Sequence, residues 1–178
     1  PRGANVGSFL ARMDKPPVYR GWDLWLENGR VATHIVSTWP SSAIKVITRK
    51  SFNPDQWHHI TITYDGSSKG SGVKIYIDGI LNETDVVNDN LTTSIKTKVP
   101  LRFARREADG EGLANIRLRE VRLYDRALNQ DEVAGIGRNA RFAEILAKEP
   151  GKRTTAEKDE LFSFWIGTQD KPSIAMAK

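Results

Sequence analysis

The sequence predicts a mainly β protein, an antiparallel β-sandwich over residues 1–137 followed by a helical extension over residues 138–178. Three observations carry this reading. A hairpin is written around Asn28-Gly29. A series of short alternating runs is punctuated by Gly, Asn, Asp, Ser or Pro. Helix-start signals appear only after the strands end.

Asn28-Gly29 readily adopts the positive φ angles of a two-residue turn, and that turn fixes the register of residues 22–36. Glu27 then faces Arg30, Leu26 faces Val31, Trp25 faces Ala32, Leu24 faces Thr33 and Asp23 faces His34. Trp22, Leu24, Leu26, Val31 and Ile35 share the apolar face, which is expected to meet the core. Asp23, Trp25, Ala32 and His34 point the other way. Trp25 is thereby either a platform for a ligand or a ring covered by a loop or a neighbouring domain.

Further strands are expected at residues 43–49, 57–64, 72–77, 101–105 and 116–124. Ile60, Ile62 and Tyr64 line one face of the second of these runs. Val73, Ile75 and Ile77 line one face of the third, with Lys74 and Tyr76 opposite. Asn129 followed by Glu132 has the form of a capping box opening a helix at 129–136, and residues 140–148 form a second helical stretch. Pro150-Gly151 breaks it, and Thr154 with Glu157 opens a helix at 155–168 whose stripe of Leu161, Phe162, Trp165 and Ile166 is expected to dock on the sandwich or on neighbours.

Composition bounds the function. The 178 residues are 39% hydrophobic with five Trp, six Phe and four Tyr, enough for one core. No apolar run approaches the roughly 20 residues of a membrane-spanning helix. A net charge of +5 and a pI near 9.5 favour acidic partners. Zero Cys excludes disulfides, thiolate zinc sites and Cys nucleophiles. The start at Pro1-Arg2-Gly3 reads as that of a fragment of a longer polypeptide.

Catalytic patterns are thin. Glu107, Asp109 and Glu111 have the alternate spacing that places carboxylates on one strand face in retaining glucanases, but Ala108, Gly110 and Gly112 give the stretch the composition of a surface loop. His58 and His59 adjoin and point to opposite faces, so they make no zinc site. His34 opposite Asp23 is either a tuned acid–base pair or a structural contact. Calcium is a more reasonable ion for this fold class than zinc, with Asp65, Asp78 and Asp89 as weak candidate ligands that also suit turns. Arginines cluster between Arg102 and Arg126. Arg105, Arg117 and Arg119 are candidates to grip sulfate or carboxylate, Arg117 and Arg119 sharing a strand face, unless that face is simply solvated.

Three segments carry a family resemblance: Trp57-His-His-Ile-Thr-Ile-Thr-Tyr-Asp65-Gly, Val73-Lys-Ile-Tyr-Ile-Asp78-Gly79, and Glu120-Val-Arg-Leu-Tyr-Asp-Arg-Ala-Leu128 with Asp131-Glu132-Val133. Together they resemble laminin-G-like, concanavalin-like jelly rolls over residues 8–137. Such jelly rolls open with strands upstream of the segment matching Gly7 to Arg12, and these are expected to be missing here. Ser8-Phe-Leu-Ala-Arg-Met-Asp14, Tyr19-Arg-Gly-Trp-Asp-Leu-Trp25 and Lys152-Arg-Thr-Thr-Ala-Glu-Lys-Asp-Glu-Leu-Phe162 further resemble large planctomycete-type bacterial proteins in which such a domain accompanies a cytochrome-c-like segment. The haem motif of that segment is absent from this sequence.

The resemblance implies an extracytoplasmic, non-enzymatic accessory module that recognises carbohydrate, including acidic or sulfated glycan. The alternative is a structural module that orients neighbouring domains of the same polypeptide; glycoside hydrolysis is a third reading. Nucleic acid and membrane are not expected partners. The residues expected to bind ligand are Trp25, His34, Trp39, Arg105, Arg117 and Arg119. Trp39 lies in a loop where its ring stacks on a sugar or anchors the chain.

Overall fold

The computed structural model describes residues 6–53, 55–107, 112–168 and 170. The strands are β1 (Val6–Met13), β2 (Gly21–Glu27), β3 (Arg30–Thr38), β4 (Ser42–Thr48), β5 (Ile60–Tyr64), β6 (Val73–Ile77), β7 (Ile80–Leu81), β8 (Thr84–Asp89) and β9 (Arg102–Phe103). Two helices follow, α1 (Gln130–Leu146) and α2 (Thr155–Thr168). A six-stranded antiparallel sheet runs β8-β4-β3-β2-β1-β9, and a three-stranded sheet runs β5-β6-β7.

The β2–β3 hairpin forms in the register that its turn dictates. Asn28 and Gly29 take φ of 52° and 76°, and Glu27 pairs with Arg30 through to Asp23 with His34. Once that register is set, side-chain alternation decides the rest. Val31, Ile35, Ile44 and Val46 of the large sheet pack on Val73 and Ile75 of the small one, with Leu24, Ile60, Ile62 and Tyr64 closing around them. Burying each such aliphatic side chain stabilises the sandwich by about 1.5–3 kcal/mol.

The opposite face of the large sheet has a smaller apolar cluster of its own. Ala11, Met13, Val36 and Ala43 lie under the rings of Tyr19 and Trp39. Because strand neighbours alternate, Asp23, Trp25 and His34 belong to this outer face.

Residues 116–124 do not form the expected strand. Their apolar positions change phase, from Ile116 and Leu118 to Val121 and Leu123, so no single strand face collects them. Glu120, at the slip, sits at φ 54°. Arg117 and Arg119 therefore share no strand face. The segment instead lines a cleft of about 2150 Å³ together with Trp22, Leu24 and Ile35 of the large sheet and Ile60 and Ile62 of the small one. The expected strands at 57–64 and 101–105 are shorter than their alternation suggested, and β8, with Val86 and Val87 adjacent rather than alternating, forms as an edge strand against β4.

The helical stretches 129–136 and 140–148 are one helix, α1. Gly137 does not break it. A Cβ there would come within 2.6 Å of the Gly79 backbone nitrogen, so glycine lets α1 approach the β6–β7 turn, while Val133 and Ile136 pack on Tyr76 and Leu128. Both capping boxes form. Asn129 and Glu132 exchange bonds of 3.0 and 2.9 Å, and Thr154 and Glu157 exchange bonds of 3.2 and 2.9 Å. On α2, Phe164 packs on Phe142 of α1, while Phe162 and Trp165 stack on each other at 58% and 50% exposure. No described helix is long and apolar enough to cross a membrane.

Candidate functional site

The outer face of the large sheet gathers polar and aromatic side chains from distant parts of the chain. Its centre is Asp23, whose side chain is fully buried. Oδ1 accepts the backbone N–H of His34 at 2.9 Å and lies 2.9 Å from His34 Nδ1. Oδ2 accepts from Nε of Arg106 at 2.6 Å and sits equally close to its Nη2. The Thr33 hydroxyl donates to the Asp23 carbonyl oxygen at 2.6 Å, pinning the backbone on which the carboxylate stands.

A buried carboxylate is tolerable only with such a set of partners. Burial pushes the Asp23 carboxyl up, but the attraction and hydrogen bonds of His34 and Arg106 outweigh it and hold the group below the usual carboxylate range. The Asp23 carboxylate is therefore held as a fixed charge. His34 Nδ1 is also 3.0 Å from Arg106 Nη2, and since one ring nitrogen bonds either the carboxylate or the guanidinium, Asp23 is the group that joins the other two.

Aromatic rings surround this network. The Arg106 guanidinium lies 3.7 Å from the centre of the Trp25 ring and 5.6 Å from that of Tyr19. His34 meets Trp25 and Trp39 edge to face, with ring centres 6.0 and 5.5 Å apart. Tyr19, Trp25 and Trp39 are each half-exposed while Asp23 and His34 are buried beneath them. On the same face Lys45 bonds Glu27 at 2.7 Å, reaching diagonally across β3.

The structure brings together Trp25, His34 and Trp39 of the residues expected from sequence. One face of Trp25 is already covered by Arg106, so its free edge and the rings of Trp39 and Tyr19 are what the surface presents. Arg105 is exposed near Gly112, and it is its neighbour Arg106 that enters the cluster. Arg117 and Arg119 lie elsewhere, along the inter-sheet cleft, with Arg119 4.9 Å from the centre of the Trp57 ring.

The candidate calcium ligands each hold local backbone in place. Asp65 accepts from Ser67 N–H at 2.9 Å, Asp89 from Gly70 N–H at 2.6 Å, and Asp78 from His59 N–H at 2.8 Å and from the His58 ring at 2.7 Å. Among the described residues no three metal-ligating His or carboxylate side chains gather at one point. Asp109 and Glu111 of the glucanase-like triplet lie outside the described residues.

Sequence reasoning paired Asp23 with His34 through the hairpin register but did not assign Tyr19 or Arg106 to the site. Arg106 is 83 positions from Asp23, a separation that leaves no local signal. Tyr19 reaches the face because the loop of residues 14–20 folds back, with the Trp39 N–H donating to the Val18 carbonyl oxygen at 3.1 Å.

This geometry, a two-sheet antiparallel sandwich with a polar-aromatic outer face, agrees with the match of residues 4–134 to the model of the concanavalin A-like lectin/glucanases superfamily. The chain belongs to that superfamily. Among solved structures, this superfamily chain is similar to an S-layer domain-containing protein (residues 221–444) from Clostridium thermocellum, at 15% identity and a TM-score of 0.38. The similarity covers 76% of this chain and spans 64% of the other.

Proposed function

We propose that this domain is a non-catalytic carbohydrate-recognition module that uses the outer face of its large sheet, within a larger extracytoplasmic protein. The observation that carries the reading is the set of half-exposed rings, Tyr19, Trp25 and Trp39, standing over a buried and fully hydrogen-bonded Asp23–His34–Arg106 network. Sugar recognition needs flat apolar surface for the C–H faces of a pyranose and fixed polar groups at its rim. Rings held by a rigid network lose little freedom on binding.

A non-catalytic role is favoured by the state of Asp23. A general acid must hold a proton near working pH, whereas both oxygens of this carboxylate are taken by cationic or N–H partners that keep it ionised. Superfamily membership supports the sugar-binding reading at the level of class. A panel of soluble polysaccharides titrated against wild type and Trp39→Ala tests it. Binding weakened about tenfold or more by the substitution, measured at a temperature where both proteins are folded, is the expected result, since stacked aromatics contribute roughly 1–3 kcal/mol. Equal binding by both proteins would remove Trp39 and this face from the site.

A second reading is favoured by a different observation. Phe162 and Trp165 stack outward on α2, and Leu146 near the end of α1 is 57% exposed. Apolar side chains left bare on the helical extension suit contact with a neighbouring domain, so the extension would serve as a docking element while the sheet face binds ligand.

A further inference from the structure

We infer that the outer face has a second, cationic subsite, and that the glycan it takes carries carboxylate or sulfate groups. The inference rests on the carbohydrate reading above and adds a chemical class to it. The subsite is a pocket of about 630 Å³ between residues 14–20 and residues 96–99. Lys15, Arg20, Lys96 and Lys98 line it, against the single carboxylate of Asp14.

That carboxylate is engaged. Asp14 Oδ1 accepts from the Thr97 hydroxyl at 2.5 Å, which ties the two walls of the pocket together. Arg12 reinforces the tie by donating to the carbonyl oxygens of Val99 and Thr97 at 3.1 and 3.3 Å. Upstream on the same loop, Thr93 and Thr92 bond the hydroxyls of Ser37 and Ser42 at 2.6 and 3.0 Å. With Thr97 half-buried and turned to Asp14, its neighbours Lys96 and Lys98 are both exposed.

Among the described residues, neither Lys15, Lys96 nor Lys98 forms an ion pair with a carboxylate, in contrast to Lys45, Lys148 and Lys152, which each do. Three lysines and Arg20 line the pocket against one carboxylate, and this net positive lining raises the local potential and draws an anion. The pocket adjoins the aromatic face through one loop. Val18 and Arg20 line it, Tyr19 between them joins the ring cluster, and Arg20 Nε donates to the Ser37 carbonyl oxygen at 3.2 Å, two residues before Trp39. A uronate or a sulfated sugar, held by its ring on Trp39, is the ligand chemistry that suits a cationic pocket on the adjoining loop.

The test compares polygalacturonate, dextran sulfate and neutral dextran as probes against four proteins: wild type, Lys96→Ala/Lys98→Ala, Trp39→Ala, and Lys152→Ala/Lys158→Ala as a distant control of equal charge change. The expected result is that a charged probe binds in preference to dextran. The Lys96→Ala/Lys98→Ala variant should then lose most of that preference and lower the slope of log affinity against log salt by about 1–2, while the control leaves both unchanged. The comparison of polygalacturonate with dextran sulfate tells carboxylate from sulfate. Equal losses in the pocket variant and the control would reduce the effect to net charge and overturn the subsite. Dextran binding that depends on Trp39 with no preference for either anion would overturn the subsite and leave the carbohydrate reading standing. Absence of binding to every probe would overturn both.

Discussion

Asp23 is the residue on which the outer face depends. It accepts from His34 and Arg106 at once, and removing one partner of a buried charge network leaves the others uncompensated. Asp23→Asn is expected to cost about 3 kcal/mol of stability at pH 7, toward the low end for a buried pair because Arg106 retains some access to water. The pH dependence follows from the lowered carboxyl. A group whose folded pKa is depressed contributes stability in full above its unfolded value, near about 4, and loses it as pH falls through the folded value. Urea denaturation of both proteins should therefore show a gap that is widest at pH 6–7 and narrows below about pH 4. A gap independent of pH would show that the charge of Asp23 is not what stabilises the network. The Asp23–His34 pairing was legible in the sequence because a two-residue turn fixes register outright. Arg106 was not, because a contact between residues 83 positions apart is decided by the path of the whole chain.

Among the elements, α1 shows how a local signal becomes a boundary. Glu132 accepts the Asn129 N–H and receives a two-pronged contact from Arg126 at 2.6 and 2.8 Å. The Arg126 hydrogen bonds, then that of Asn129, lower its carboxyl from 4.5 to about 2. Stability from this cap is complete above pH 4.5 and is lost as pH falls toward about 2. Glu132→Gln retains an acceptor for the Asn129 N–H but cannot titrate. Its denaturation midpoint should therefore fall less than that of wild type between pH 6 and pH 2.5, as followed by circular dichroism at 222 nm. Identical acid limbs would contradict the assignment. The capping boxes were readable because each is complete within four residues. Residues 116–124 were misread because their alternation holds only in halves, and β8 was passed over because adjacent valines give no alternation at all. The helical pattern was read as two stretches, 129–136 and 140–148, while the reason for Gly137, its contact with Gly79, exists only after folding.

At the scale of the molecule, the two faces of the large sheet divide the work. The inner face makes the core with the small sheet. The outer face, which in a two-layer sandwich meets water, instead gathers a buried ionic network, three half-exposed rings and a cationic pocket at one end. The five tryptophans happen to report separately on these regions. Trp25 and Trp39 belong to the outer face, Trp22 and Trp57 to the inter-sheet cleft, and Trp165 to the helical extension. The most direct test of the account is a titration followed by the five indole N–H signals in a ¹H–¹⁵N NMR spectrum, using oligosaccharides of a polysaccharide that binds. The account predicts shifts at Trp25 and Trp39, with Trp22, Trp57 and Trp165 unmoved. Shifts confined to Trp22 and Trp57 would place the ligand between the sheets and contradict the assignment of recognition to the outer face.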